Sequence, residues 1–126
     1  MMKDLQEKLL FPYKFTCAPR QIGSVTPSSA WLAEKMLEPV DWNRVEAVAE
    51  LGAGTGAITR CLDRVKPKRA KGLLFEKDPQ LRSRLTDAFP GYSCYEDAER
   101  LQTALQWEEI EGFDFILGGL PFFNFP

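Results

Sequence analysis

Three glycines at alternate positions in Gly52-Ala53-Gly54-Thr55-Gly56 separate two apolar runs of different period. Val45 to Leu51 alternates and then runs apolar between Asn43 and Gly52, which predicts a strand. From Ala57 to Val65 the apolar residues Ile58, Cys61, Leu62 and Val65 return at helical spacing. A glycine-rich turn between strand and helix lets backbone approach a ligand closely and aims the first helical N–H groups at it. Glu76 lies 20 residues beyond Gly56, at the end of a second predicted strand, Gly72 to Glu76. A carboxylate in that place can accept both hydroxyls of a ribose. Gly52-x-Gly54-x-x-Ala57 also satisfies the loose dinucleotide pattern. Glu50 argues against that use, because phosphates gain nothing from another carboxylate beside the loop.

The flanking segments repeat the alternation of strand and helix. Thr26 is placed to cap a helix that starts at Pro27, where a missing N–H costs nothing, and ends before Pro39. Asp78-Pro79 caps a helix to about Phe89, and Pro90-Gly91 turns the chain into a third short strand, Tyr92 to Tyr95. Ala98 to Trp107 has helical spacing, with Leu101 and Leu105 inward, and Phe113 to Leu117 forms a fourth strand. Helices alternating with strands in this way predict an α/β fold, a parallel sheet with helices on both faces. Two units are expected: 1–40, an N-terminal helical cap, and 41–126, the α/β domain.

Composition narrows the function. The 126 residues fit one domain, with 16 Lys+Arg against 18 Asp+Glu, a net charge of −2. The absence of histidine removes histidine-based triads and histidine metal sites. Cys17, Cys61 and Cys94 are too scattered for a disulfide framework or a zinc pattern. Without an apolar run of about 18 residues or a signal-peptide core, the expected location is cytoplasmic. Met2 to Phe11 has Leu5, Leu9 and Leu10 on one helical face. Arg60 to Lys71 holds six basic residues against Asp63, a net +5. Both stretches are candidates for contact with an anionic surface, the location then being peripheral at the inner membrane; a solvated helix face and a packed edge helix are the plainer readings.

At this point the motifs carry a resemblance. Glu50-Leu51-Gly52-Ala53-Gly54-Thr55-Gly56 resembles the first motif of class I methyltransferases that use S-adenosylmethionine. The resemblance implies a Rossmann-like sheet in which Gly52, Ala53, Gly54, Thr55 and Gly56 line the methionine and ribose side of the cofactor. Glu50 then lies near the methionine end, Glu76 with Lys77 at the ribose, Asp97 with Ala98 at the adenine edge, and Gly118 at the cofactor. Ser24 and Thr26 are placed to reach the cofactor carboxylate or simply to cap the helix. Gly119, Leu120, Pro121 and Phe122 match the acceptor motif.

Ile22 to Ser29, the loop Glu50 to Thr59 and Gly119 to Pro126 together resemble bacterial phospholipid N-methyltransferases, whose core is similar to ribosomal RNA adenine dimethyltransferases. In the latter an asparagine stands where this chain has Gly119 and a tyrosine where it has Phe122, so no side-chain amide is available to grip a base edge. The implied reaction is methyl transfer to the amine of a phosphatidylethanolamine head group at a membrane surface. RNA or another amine is the alternative acceptor, with nucleic acid the weaker partner. A non-catalytic module that binds the cofactor is the other alternative. Aromatic faces at Phe122, Phe123 and Phe125 suit a methylated ammonium product, each worth about 0.5–2 kcal/mol. The family sheet has seven strands and this pattern supplies the first four, in order 3-2-1-4. The fourth is therefore expected as an open edge, covered in a longer chain or by a second copy in a homo-oligomer.

Overall fold

The computed structural model describes residues 14–17 and 27–118. Five strands form one parallel sheet: β1 Lys14–Cys17, β2 Ala47–Leu51, β3 Lys71–Phe75, β4 Ser93–Tyr95 and β5 Phe115–Gly118. Four helices accompany them: α1 Pro27–Leu37, α2 Ala57–Val65, α3 Pro79–Ala88 and α4 Leu101–Glu108. The sheet order is β1-β5-β2-β3-β4. Counting from the glycine-loop strand, β4-β3-β2-β5 is the expected 3-2-1-4 arrangement of a Rossmann-like α/β fold.

Strand alternation divides the interior into two layers. Val48, Leu74, Phe115 and Leu117 face α1, α2 and the end of α3, where they meet Ala33, Leu37, Ile58, Leu62, Leu85 and Phe89. Ala47, Ala49, Leu51, Leu73, Phe75 and Ile116 face the opposite side and meet Leu101, Ala104 and Leu105 of α4. Burial of each large apolar side chain contributes about 1.5–3 kcal/mol. The central strands are covered on both sides, which is why they read as continuous apolar runs.

Local chemistry fixes the ends of the elements. Asp78 accepts N–H bonds from Gln80 (2.8 Å) and Leu81 (3.1 Å), with Pro79 in the first turn of α3. Asp97 caps a short 3-10 turn, Ala98–Arg100, before α4 begins at Leu101, so the helix expected from Ala98 opens as a tighter turn. At the opposite end of the sheet, Asp114 Oδ2 accepts from the backbone N–H groups of Glu46 (2.7 Å) and Ala47 (2.9 Å). It thereby ties the start of β2 to the start of β5.

One expectation is corrected. The outer edge of β5 is not open: Lys14, Phe15, Thr16 and Cys17 pair in parallel with Phe115, Ile116, Leu117 and Gly118. A strand from the first forty residues thus joins the sheet, and that region is not solely a helical cap. No second copy is required to cover Phe115–Gly118. The expected helix Met2 to Phe11 lies outside the described residues. Among those described, no helix is long and apolar enough to cross a membrane.

Candidate functional site

The strands end in one row. Cys17 is level with Gly118, Gly118 with Leu51, Leu51 with Phe75, and Phe75 with Tyr95. Whatever follows those residues therefore emerges along a single edge. The chain moves outward from β2 through β3 to β4, then returns to place β5 on the other side of β2. In open α/β sheets this reversal opens a crevice at the carboxyl ends of the strands. The glycine loop leaves β2 at that point.

Loop conformation explains the glycines. Gly52, Gly54 and Gly56 have φ of 69°, 60° and 85°, in the left-handed region that side chains disfavour. The Gly52 and Ala53 N–H groups donate to Phe75 O at 2.8 and 3.2 Å, which draws the loop against the end of β3. Gly56 caps α2 and sits on Phe89 and Leu85 so closely that a Cβ would lie 2.8 Å from the Phe89 ring. The loop is thus pressed down on the sheet and backed by α3.

Two carboxylates bracket it. Glu76, one residue past β3, accepts from Gly54 N–H through Oε1 (2.7 Å) and from Asp78 N–H through Oε2 (3.0 Å). A carboxylate offers about four acceptor positions, so two remain for ligand hydroxyls. Glu50, next to the end of β2, is buried with 1% exposure and accepts from the Thr59 hydroxyl of α2 at 2.6 Å. Sequence reasoning missed Thr59, and also Arg82. The Arg82 guanidinium donates to Glu76 O (2.9 Å) and Lys77 O (3.2 Å), bracing the segment that carries the acid. Spacing signalled neither residue, since each acts across a turn between elements.

The structure brings Glu50, Gly52 to Gly56, Glu76, Lys77, Asp97, Ala98 and Gly118 to the same edge. Asp97 Oδ1 accepts Glu99 N–H at 2.9 Å. A cleft of about 510 Å³ opens here between Lys77, Tyr95, Asp97 and the Thr103 and Trp107 flank of α4. β4 and β5 are three strand spacings apart, about 14 Å. Ser24, Thr26, Gly119, Leu120, Pro121 and Phe122 lie outside the described residues. Burial pushes the Cys61 thiol above its ordinary range, with Glu34 and Glu50 adding to the effect.

The basic stretch is largely occupied within the chain. Arg69 donates to Val45 O, Trp42 O and Asn43 O at 2.8–3.0 Å. Lys66 donates to Pro67 O and Ala70 O, Arg64 pairs with Glu34, and Lys71 reaches Glu108. Lys66 to Lys71 also lead into the start of β3, the end of the sheet opposite the glycine loop.

The fold and this edge define a Rossmann-like α/β unit. No family model matches the chain. Ornithine lipid N-methyltransferase of Singulisphaera acidiphila is 36% identical over 130 aligned positions, which cover 99% of this chain and 66% of that protein. The chain is thus a homologue of an N-methyltransferase and spans just under two thirds of its length.

Proposed function

We propose that this chain binds S-adenosylmethionine along the carboxyl edge of β2, β3, β4 and β5, for methyl transfer to the primary amine of a lipid head group. The observation that carries the reading is the Gly54 N–H bond to Glu76, which joins the glycine loop and the distal acid into one preformed cradle. The residues fit the cofactor. Glu76 keeps acceptor capacity for two ribose hydroxyls, the glycines leave the loop backbone bare, and Asp97 stands at the adenine end. Glu50 places a buried carboxylate at the root of the loop, where a cationic methionine moiety is favoured.

When bound, the cofactor supplies a methyl carbon activated by a positively charged sulfur. Held by Gly52 to Gly56 and Glu76, it would yield that methyl to an amine by in-line displacement, the bonding pair remaining on the neutral sulfur and the amine's extra proton passing to solvent. Such an in-line displacement needs alignment and an unprotonated amine, so proximity dominates and the lack of histidine is no obstacle. The relative's name specifies an ornithine lipid, whereas the sequence resemblance suggests phosphatidylethanolamine; both present a primary amine at a membrane surface. That chemistry supports peripheral contact with a bilayer.

Liposomes containing either phosphatidylethanolamine or an ornithine lipid, incubated with the protein and methyl-labelled cofactor, test the reading. Label in an amino-lipid supports it. Label in RNA with none in lipid would transfer the proposal to a nucleic-acid amine.

A further inference from the structure

Glu50 and Thr59 are buried at 1% and 0% exposure, and they are bonded to each other. A carboxylate withdrawn from water is costly unless it is partnered. The 2.6 Å separation lies within the range for a hydroxyl donating to a carboxylate oxygen. Thr59 stands in the first turn of α2, whose N-terminal N–H groups also favour negative charge nearby. Glu50 lies on the α2 face of β2, two residues before Gly52. A ligand seated on that loop therefore has a buried carboxyl group at the loop's root, where water screens a charge little.

The methyl donor and its demethylated product differ by one positive charge on sulfur. We propose that the Glu50–Thr59 pair sets the preference of this site for the charged donor over the neutral-sulfur product, with Thr59 a positioning residue that acts through Glu50. The inference rests on the cofactor reading above. Product inhibition is thereby limited by a residue on the far side of the loop from solvent.

The test is calorimetric titration of the wild-type chain and of Thr59→Val, Thr59→Ser and Glu50→Gln with S-adenosylmethionine and S-adenosylhomocysteine. The ratio of the product Kd to the donor Kd should fall about tenfold in Glu50→Gln and about threefold in Thr59→Val, the scale of a lost charge or charge-assisted bond. Thr59→Ser keeps the donor hydroxyl and should keep the ratio within about twofold. A merely structural role would weaken both ligands alike and leave the ratio unchanged in Thr59→Val, which would overturn the inference while the cofactor reading stood. Should Glu50→Gln fail to fold, the near-isosteric Thr59→Val decides. A folded wild-type chain that binds neither ligand would overturn both.

Discussion

Replacing Gly56 by alanine perturbs the loop at its most constrained residue. Two costs can be worked from the structure. At φ 85° an alanine enters the left-handed region, at about 1–2 kcal/mol. Its Cβ would lie 2.8 Å from Phe89 Cε2 and 3.1 Å from Leu85 Cδ2, both on buried side chains that cannot withdraw freely. Overpacking of that kind costs about 1–3 kcal/mol. The sum, about 2–5 kcal/mol, is a large share of the 5–15 kcal/mol typical of a domain. At about 4 °C per kcal/mol it corresponds to a fall in Tm of about 8–20 °C. Urea and thermal unfolding followed by circular dichroism read it out. Gly91→Ala is the control, because a Cβ at Gly91 meets nothing within 4 Å. A Phe89→Leu background should recover part of the loss through relief of the clash. If Gly56→Ala were no more destabilising than Gly91→Ala, the description of the loop as pressed onto α3 would be wrong.

Three further outcomes follow from the same contacts. Gly72→Ala should destabilise by about 3 kcal/mol in urea unfolding, since its Cβ would meet the Tyr92 ring at 2.5–2.6 Å and that ring is buried. Asp114→Ala should cost about 1–3 kcal/mol by removing the acceptor of two backbone N–H groups, and Asp114→Asn less, because the amide oxygen still accepts. Stability should hold from neutral pH to about 9 and decline above about pH 10. Burial raises the Tyr92 and Tyr95 hydroxyls above their ordinary value of 10.0, aided by Asp63 and Glu108 respectively. The native state therefore retains protons that the unfolded chain releases. Denaturation midpoints between pH 8 and 11 should show that slope, weakened in a Tyr92→Phe, Tyr95→Phe variant.

Much of the fold could be read before the structure because its signals are local. The change of period at Gly52 announces β2, the loop and α2, and Asp78-Pro79 announces α3 by its own capping chemistry. The two-sided burial of β2, β3 and β5 follows from their apolar runs. Strand β1 carried no such signal. It has four residues between Pro12 and Pro19, and its partner is β5, about a hundred residues away in sequence. Charge counting along the stretch from Arg60 could not show that backbone carbonyls at Trp42, Asn43 and Val45 take up Arg69. The carboxylates of the site were legible from position, and the groups that hold them were not. Glu50 depends on a hydroxyl on the next helix and Glu76 on a loop N–H, partners that only the packed turn brings near.

The central claim is that the glycine loop and Glu76 form a cofactor cradle. Calorimetric titration of the purified chain with S-adenosylmethionine, repeated with Glu76→Ala, measures it directly. Saturable binding by the wild type, weakened at least tenfold in the variant while circular dichroism shows both folded, is the predicted result. Binding of equal strength in the two proteins, or none by the folded wild type, would contradict it.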